Sequence, residues 1–234
     1  MLERLKEQVC EANVGLVREG LVALTWGNVS GIDRSTGMVV IKPSGVAYER
    51  MKPSDMVVVA LESGEIVEGD LAPSSDTPTH RELYRSFASI SGIAHSHSPF
   101  ATAWAQARRE IPVFGTTHAD HFRGPIPVTR PMTKKEIGTD YELNTGLVIV
   151  ERFKRLDYMM MPAVLVANHA PFAWGETVEK AVHNAVALEQ VARMAIDTLQ
   201  INSKTPPMSK DLLDKHFFRK HGPTAYYGQK SRKK

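Results

Sequence analysis

The chain of 234 residues is long enough for one large domain or two small ones, and its composition, 42% hydrophobic and 24% charged, is typical of a globular protein. The formal net charge of +3 is small and much of it lies in the C-terminal tail, so no nucleic-acid partner is expected. No apolar run is long enough for a membrane helix and Cys10 is the only cysteine, so we expect no membrane association and a cytoplasmic location.

The N-terminal part of the chain predicts one helix followed by a strand. Apolar residues at near-helical spacing predict an amphipathic helix over residues 2–19 that ends at Gly20. Val22 to Ser30 predicts a strand, interrupted by Gly27 and Asn28, which strand interiors usually avoid. The interruption is either a bulge or a backbone opened so that a ligand approaches Gly27 and the Asn28 amide.

Two further strands, Met38 to Lys42 and Asp55 to Leu61, predict a meander. A Ser-Gly turn follows the first of them. Such a turn beside a lysine can hold a phosphate through the Lys42 ammonium, the Ser44 hydroxyl and free backbone N–H groups near Gly45. The same residues are also ordinary turn chemistry, so the sequence leaves both interpretations open.

A helix is predicted to start after a run of small polar residues, with Thr77 as its N-cap and Pro78 in its first turn. Ser74 and Ser75 would then lie at the positive end of the helix, which suits an anion. Asp76 lies at the same corner. Its carboxylate either caps the helix or points into a site.

Ala88 to His97 predicts an apolar strand that carries two histidines. Side chains two apart on a strand share one face and lie about 6.5–7 Å apart, so His95 and His97 can bind one metal ion. His169 ends the predicted strand Ala163 to Asn168 in the same manner, and Asp76 could add an oxygen. Three histidine ligands would leave a position for substrate on zinc. The alternative is a hydrogen-bonded polar patch.

The rest of the chain predicts alternating short elements, no internal repeat and no linker, so one domain over residues 1–234 is expected. Its C-terminal helix and tail begin at about residue 209. The predicted elements are a helix Ala101 to Arg108, a strand Pro112 to Gly115 ending in the polar cluster Thr116 to His121, a helical stretch over 133–142, a strand Gly146 to Val150, a loop His169 to Gly175, and helices Thr177 to Leu199 and Lys210 to Lys220.

Several blocks in order together resemble the class II aldolase/adducin family, and the likeness covers Met1 to about Gln229. The C-terminal block Ala225 to Gln229 is similar to the end of the family's sugar-phosphate 4-epimerases. The other blocks are Thr25 to Ser30, Ile41 to Val46, Pro73 to His80, His95 to His97 and Gly115 to Asp120.

The resemblance implies an α/β fold with three layers, α/β/α, and a largely antiparallel central sheet. It also implies a homotetramer with active sites between neighbouring subunits, which the C-terminal segment reaches. The metal ligands it implies are Asp76, His95, His97 and His169, holding one Zn²⁺ per subunit, or Mn²⁺ or another divalent ion.

The implied substrate is a small sugar phosphate, and the implied proton-transfer residues are Asp120 and Tyr227, with Tyr227 reaching from the adjacent subunit. His216 and Arg219 either add positive charge near the phosphate or lie on a surface helix. The implied substrate contacts are Gly27, Asn28, Ser44, Gly45, Ser74 and Ser75. To these the lysine beside the Ser-Gly turn adds Lys42 as a candidate phosphate contact.

The resemblance favours epimerisation at carbon 4 of a ketopentose 5-phosphate, as in arabinose catabolism. One alternative is an aldolase of the same family acting on a deoxysugar 1-phosphate, in which a glutamate normally occupies the position of Asp76. The other is an adducin-like interaction module without catalysis. Such a module could lose its ligands, whereas all the candidate ligands are present here.

Overall fold

A seven-stranded antiparallel sheet forms the middle layer of the structure, a computed structural model that describes residues 2–222 and 225–227. The strands are β1 Gly27–Asp33, β2 Met38–Ile41, β3 Val57–Ala60, β4 Ile66–Glu68, β5 Gly92–Ser96, β6 Ala163–Leu165 and β7 Pro171–Gly175. Their order is β4-β3-β2-β1-β5-β7-β6, and every neighbouring pair is antiparallel.

The helices cover both faces of this sheet. They are α1 Glu3–Arg18, α2 Thr77–Ser86, α3 Pro99–Ala107, α4 Thr116–Ala119, α5 Lys134–Ile137, α6 Tyr141–Phe153, α7 Val178–Ile201 and α8 Lys210–Lys220. Two 3₁₀ turns, Tyr48–Arg50 and Pro53–Asp55, precede β3. Within the described residues, none of these helices is both long and apolar enough to cross a membrane.

Strand β1 shows how the two helical layers pack on the sheet. A Cβ added at Gly31 would lie 2.7 Å from Val178 Cγ2 and 2.8 Å from Leu5 Cδ1, so α1 and the start of α7 approach this face closely. The neighbouring Ser30 faces the other layer, where its hydroxyl meets His80 Nδ1 at 2.7 Å and the Tyr84 hydroxyl at 2.8 Å. The predicted three-layer α/β/α fold with a largely antiparallel sheet is therefore confirmed.

The central strands are rich in β-branched residues because both of their faces are covered. Val39, Ile41 and Val59 are fully buried, as are Val29 of β1 and Ile93 of β5. Such residues fit a pleated surface, and each fully buried side chain stabilises the fold by about 1.5–3 kcal/mol. These buried strands support the polar residues that lie at the strand ends.

The predicted strand Gly146 to Val150 is wrong, because these residues lie within α6. Gly146 faces α2, and a Cβ there would lie 2.8 Å from Glu82 Cβ and 3.3 Å from the carbonyl oxygen of Thr79. The glycine lets the two helices pack closely. Tertiary packing thus overrides the strand preference of the β-branched residues that follow it.

Three other predictions differ from the structure. Residues 22–26 form no strand, since Leu24 has φ 53° and β1 begins only at Gly27. Residues 112–115 form no strand either, and the polar residues after them form the short helix α4. The predicted loop His169 to Gly175 contains β7, whose Phe172 and Trp174 are fully buried. Pro171 is tolerated there as the first residue of a strand.

Candidate metal centre

Three histidines from two chain segments meet at one end of the sheet. His95 lies in β5, His97 follows that strand, and His169 lies between β6 and β7. The ring centroid of His95 lies 5.0 Å from those of His97 and His169, and the last two are 5.1 Å apart. One ligand nitrogen of each lies within 4.8 Å of the others, close enough for all three to bind one metal ion.

The antiparallel pairing of β5 with β7 brings these segments together. His95 pairs with Phe172, so the end of β5 lies beside the start of β7. His169 lies just before β7, at the end of the tight turn that joins β6 to β7. On the other side of β5, His95 pairs with Asn28 of β1. The strand ends therefore place a histidine cluster and the Asn28 side chain at the same edge.

Contacts behind the cluster orient His95. Its Nδ1 donates a hydrogen bond to the carbonyl oxygen of Pro171 at 2.9 Å, and its ring stacks on Phe172 with the centroids 4.1 Å apart. Because a carbonyl oxygen can only accept, this bond fixes the proton on Nδ1 and leaves the Nε2 lone pair free. Metal-binding histidines commonly show this arrangement.

Asp76 lies at the N-cap position of α2 but does not cap the helix with its side chain. Its Oδ2 accepts a hydrogen bond from Asn28 Nδ2 at 2.7 Å and lies 3.9 Å from His95 Nε2. Burial raises the pKa of Asp76, but the neighbouring histidines and the Asn28 amide outweigh burial and lower it below its ordinary value. The helix start thus points an ionised carboxylate towards the histidine cluster. Thr77, the predicted N-cap, is the first residue of the helix.

The donor atoms suit a divalent transition ion. Burial, together with the charges of its two neighbours, lowers the pKa of His169 to about 3, and burial also lowers the pKa of His97. The imidazoles of His97 and His169 are therefore neutral near pH 7, as a metal ligand must be. The buried Nδ1 of His169 has no hydrogen-bond partner in the described part of the chain. Three imidazole nitrogens beside a carboxylate fit zinc or another divalent transition ion.

Three loops with predicted substrate contacts converge next to Asp76. The Asn28 amide donates to Ser74 Oγ at 3.0 Å, and the Ser74 N–H donates to the carbonyl of Lys42 at 2.9 Å. The Ser44 N–H donates to the carbonyl of Ala72, also at 2.9 Å. The exposed residues of this edge are Ser44, Gly45 and Ser75.

Two of the predicted substrate contacts are also required by packing. Gly27 has φ 145°, and a Cβ there would lie 2.7 Å from the carbonyl oxygen of His95, so only glycine fits between β1 and β5. Lys42 is 2% exposed, and its ammonium donates to the Pro43 carbonyl at 3.1 Å and lies 5.0 Å from the centre of the Tyr48 ring. Burial lowers the pKa of Lys42.

Asp120 and Tyr227 both contact side chains of α8. Asp120 follows α4, and within the described residues its carboxylate is bonded by Arg219, His216 and Lys220. Burial raises the pKa of Asp120, but these hydrogen bonds, chiefly that of Arg219, outweigh burial and lower the pKa to about 2. Tyr227 is 61% exposed, and its ring lies 5.0 Å from the Arg219 guanidinium.

Sequence reasoning did not identify three residues around the cluster. His80 is fully buried, and burial lowers its pKa to about 3. Its position one helical turn after Asp76 was a signal that could have identified it. Tyr141, whose ring lies 6.3 Å from that of His169, and Phe172, which stacks on His95, carry no comparable signal.

The chain is similar to one known family and to several solved structures. The family model described as "Class II Aldolase and Adducin N-terminal domain" matches residues 7–196. An L-fuculose 1-phosphate aldolase is 24% identical, with a TM-score of 0.78 over 92% of this chain and 95% of that one. The L-fuculose-1-phosphate aldolase of Thermus thermophilus is also 24% identical, with a TM-score of 0.67 over 88% of this chain and 99% of that one.

A solved structure that is not named only as an aldolase is also similar to this chain. YgbL of Klebsiella pneumoniae, a candidate aldolase/epimerase/decarboxylase, is 26% identical, with a TM-score of 0.72 over 92% of this chain and 99% of that one. The matches at 24% identity show a shared fold.

Proposed function

Because the chain belongs to the class II aldolase and adducin family, we propose that it is a metal-dependent L-ribulose-5-phosphate 4-epimerase, which interconverts L-ribulose 5-phosphate and D-xylulose 5-phosphate. The observation that carries the proposal is the cluster of three histidines beside the Asp76 carboxylate, adjacent to loops with exposed serines. Such a cluster suits a sugar phosphate that needs both a Lewis acid and an anchor for its phosphate.

Inversion at carbon 4 of a ketopentose cannot proceed by removal of its hydrogen, because that carbon is not adjacent to the carbonyl. Cleavage of the bond between carbon 3 and carbon 4 avoids this problem. It gives the enediolate of dihydroxyacetone and glycolaldehyde phosphate, and the aldehyde can rotate before the bond forms again on its other face. A divalent ion held by Asp76, His95, His97 and His169, most simply zinc, would supply charge stabilisation for the substrate oxygens.

The phosphate must stay bound while the aldehyde rotates. We assign this role to Asn28, Ser44 and Ser74, whose loops are hydrogen-bonded to one another, together with the exposed Gly45 and Ser75. The positive end of the α2 dipole is also favourable for an anion. Gly27 and Lys42 support the same loops through their packing.

Two groups on opposite faces must move protons to and from the oxygen at carbon 4. We assign them to Asp120 and Tyr227. Within the described residues, the side-chain hydrogen bonds of Asp120 go to α8 and the Tyr227 ring lies over cations of α8. From the sequence, only Tyr227 is expected to reach from the adjacent subunit. Because Asp120 contacts the same helix as Tyr227, we propose that the active site combines the metal ligands of one subunit with both Asp120 and Tyr227 of a neighbour in a homotetramer.

An aldolase acting on a deoxysugar 1-phosphate is the second candidate, supported by the fold shared with L-fuculose 1-phosphate aldolases. We favour the epimerase because Asp76 stands where the aldolases normally have a glutamate. The shorter aspartate lies 3.9 Å from His95 Nε2, which suits a metal ligand. Tyr227 is the other feature that favours the epimerase.

Incubation of the purified enzyme with L-ribulose 5-phosphate tests this choice. We expect D-xylulose 5-phosphate to accumulate to an equilibrium mixture, with far slower release of dihydroxyacetone and glycolaldehyde phosphate. An enzyme that releases these two fragments as fast as it consumes substrate, or that cleaves L-fuculose 1-phosphate and leaves L-ribulose 5-phosphate unchanged, would be an aldolase. A chain with no activity on either sugar would be consistent with an adducin-like module.

A further inference from the structure

Arg219, near the end of α8, contacts both side chains to which we assign proton transfer. Its Nε donates to Asp120 Oδ1 at 3.0 Å and its Nη2 donates to Asp120 Oδ2 at 2.6 Å. Its guanidinium carbon lies 5.0 Å from the centre of the Tyr227 ring. The backbone carbonyl of Arg219 also accepts hydrogen bonds from the amides of Tyr226 and Tyr227, at 2.9 and 3.0 Å.

The type of contact matters, because a guanidinium has a fixed planar shape. Two parallel hydrogen bonds to one carboxylate set the plane of that carboxylate, which a single bond does not. The same guanidinium lies near the face of an aromatic ring that is 61% exposed and thus receives little support from packing. One planar guanidinium therefore contacts Asp120 and Tyr227 at the same time.

Other charged groups also surround Asp120. His216 Nδ1 lies 3.0 Å from Oδ1 and Lys220 Nζ lies 3.3 Å from Oδ2. His221 Nε2 lies 2.9 Å from the backbone carbonyl of Asp120, to which it can only donate. Lys220 also lies 4.5 Å from the centre of the Tyr227 ring, but its ammonium cannot bind a carboxylate in a forked arrangement.

We propose that Arg219 is a positioning residue that holds the Asp120 carboxylate and the Tyr227 phenol in one fixed arrangement for proton transfer. It does not exchange a proton with the substrate, because a guanidinium stays protonated at every pH at which enzymes work. The inference rests on the proposed function, since it assigns Arg219 to the reaction for which Asp120 and Tyr227 are candidates.

Steady-state kinetics of Arg219→Gln and Arg219→Lys test the role in catalysis. We expect kcat to fall by about 100-fold in Arg219→Gln, as expected when a proton-transfer group is displaced, with bound metal unchanged and KM within about threefold. Arg219→Lys keeps the charge and the fold but loses the fork, so it should recover only part of that loss. The control is Arg155→Gln, a change of an exposed arginine on another surface, and it should leave kcat unchanged.

Double variants separate positioning from a general effect on the fold. If Arg219 acts through Asp120 and Tyr227, the loss caused by Arg219→Gln should shrink in the Asp120→Asn background and in the Tyr227→Phe background. An equal loss in all three backgrounds would overturn the proposal. So would an Arg219→Gln enzyme with the kcat of the wild type.

A measurement without turnover distinguishes this inference from the proposed function. The carboxyl ¹³C resonance of Asp120, identified by its absence in Asp120→Asn, reports the ionisation of that side chain. We expect its midpoint to move up by about one pH unit in Arg219→Gln, because an adjacent cation is lost, and not to move in Arg155→Gln. An unmoved midpoint would show that Arg219 does not hold Asp120. If the wild type has no epimerase activity but the Asp120 midpoint still moves up in Arg219→Gln, only the proposed function is contradicted and the contact between Arg219 and Asp120 stands.

Discussion

His97 is the exposed member of the histidine cluster, whereas His95 is buried and held by Pro171 and Phe172. His97 is thus the ligand whose replacement should disturb the fold least. An asparagine at this position is too short to reach the place of the imidazole nitrogen. Two nitrogens and a carboxylate would remain, and they bind a divalent ion more weakly than three nitrogens and a carboxylate do.

We predict that His97→Asn loses metal and activity together. After dialysis, the wild type should hold about one ion per subunit and the variant almost none, as measured by elemental analysis. The matched control is His183→Asn, because His183 is an exposed histidine of α7 away from the cluster. It should retain both metal and activity. A metal-free His97→Asn enzyme with full activity would exclude the site.

The role of Asp76, helix cap or metal ligand, is ambiguous from the sequence alone. An aspartate before a helix normally caps it, and the sequence alone could not separate that role from a ligand. In the structure the helix receives no side-chain cap from Asp76, since Asn28 of the neighbouring strand donates to its carboxylate. The contact that decided its orientation comes from a residue distant in the sequence.

At the scale of the elements, α2 and α6 pack closely through Gly146. A methyl group there would enter the space of Glu82 Cβ at 2.8 Å and of the Thr79 carbonyl oxygen at 3.3 Å. Relief of such contacts requires the backbones of two helices to move apart. Helix α2 carries Asp76 at its start and α6 carries Tyr141 beside His169, so this packing also supports the metal centre.

We predict that Gly146→Ala lowers the free energy of unfolding by about 1–2 kcal/mol, because overpacking of about 2–3 kcal/mol exceeds the gain of about 1 kcal/mol in helix propensity. Urea denaturation measures the difference. The matched control is Gly15→Ala in α1, where the added Cβ meets only Arg18 Nη2 at 3.7 Å. That variant should gain about 0.5–1 kcal/mol. A stabilised Gly146→Ala protein would show that the two helices separate easily.

At the scale of the whole molecule, Asp120 and Tyr227 are tied to α8, while the metal ligands come from the strand ends and the start of α2. An active site that combines the two groups needs a second subunit in our proposal. Each site of a ring-shaped homotetramer would then take its ligands from one protomer and its proton-transfer groups from the next.

Subunit complementation tests that arrangement. His97→Asn and Tyr227→Phe are each expected to be nearly inactive, but hybrids formed by unfolding and refolding an equal mixture should regain activity. With random assembly, about a quarter of the sites receive an intact set from both protomers, so activity should recover to about a quarter of the wild type. Refolding of each variant alone is the control. Hybrids no more active than the separate variants would place the whole site within one subunit.

The part of the C-terminal block beyond Tyr227, including Gln229 and the basic tail, lies outside the described residues. The helix before that block, α8, begins and ends at the residues that its sequence pattern predicted. The pattern did not indicate what α8 contacts. The sequence leaves two interpretations for His216 and Arg219, positive charge near the phosphate or a surface helix. In the structure both bind Asp120.

The sequence by itself determined the long amphipathic helices, the β-branched central strands and the residue types that could bind a metal. These features depend on local spacing, which a single chain segment contains. Tertiary structure decided that residues 146–150 are helical, that β7 begins two residues after His169, and that Asp76 turns towards the histidines. Each of these depends on contacts between residues far apart in the chain. The energies of such contacts outweigh local conformational preference, and the sequence of a single segment does not reveal them.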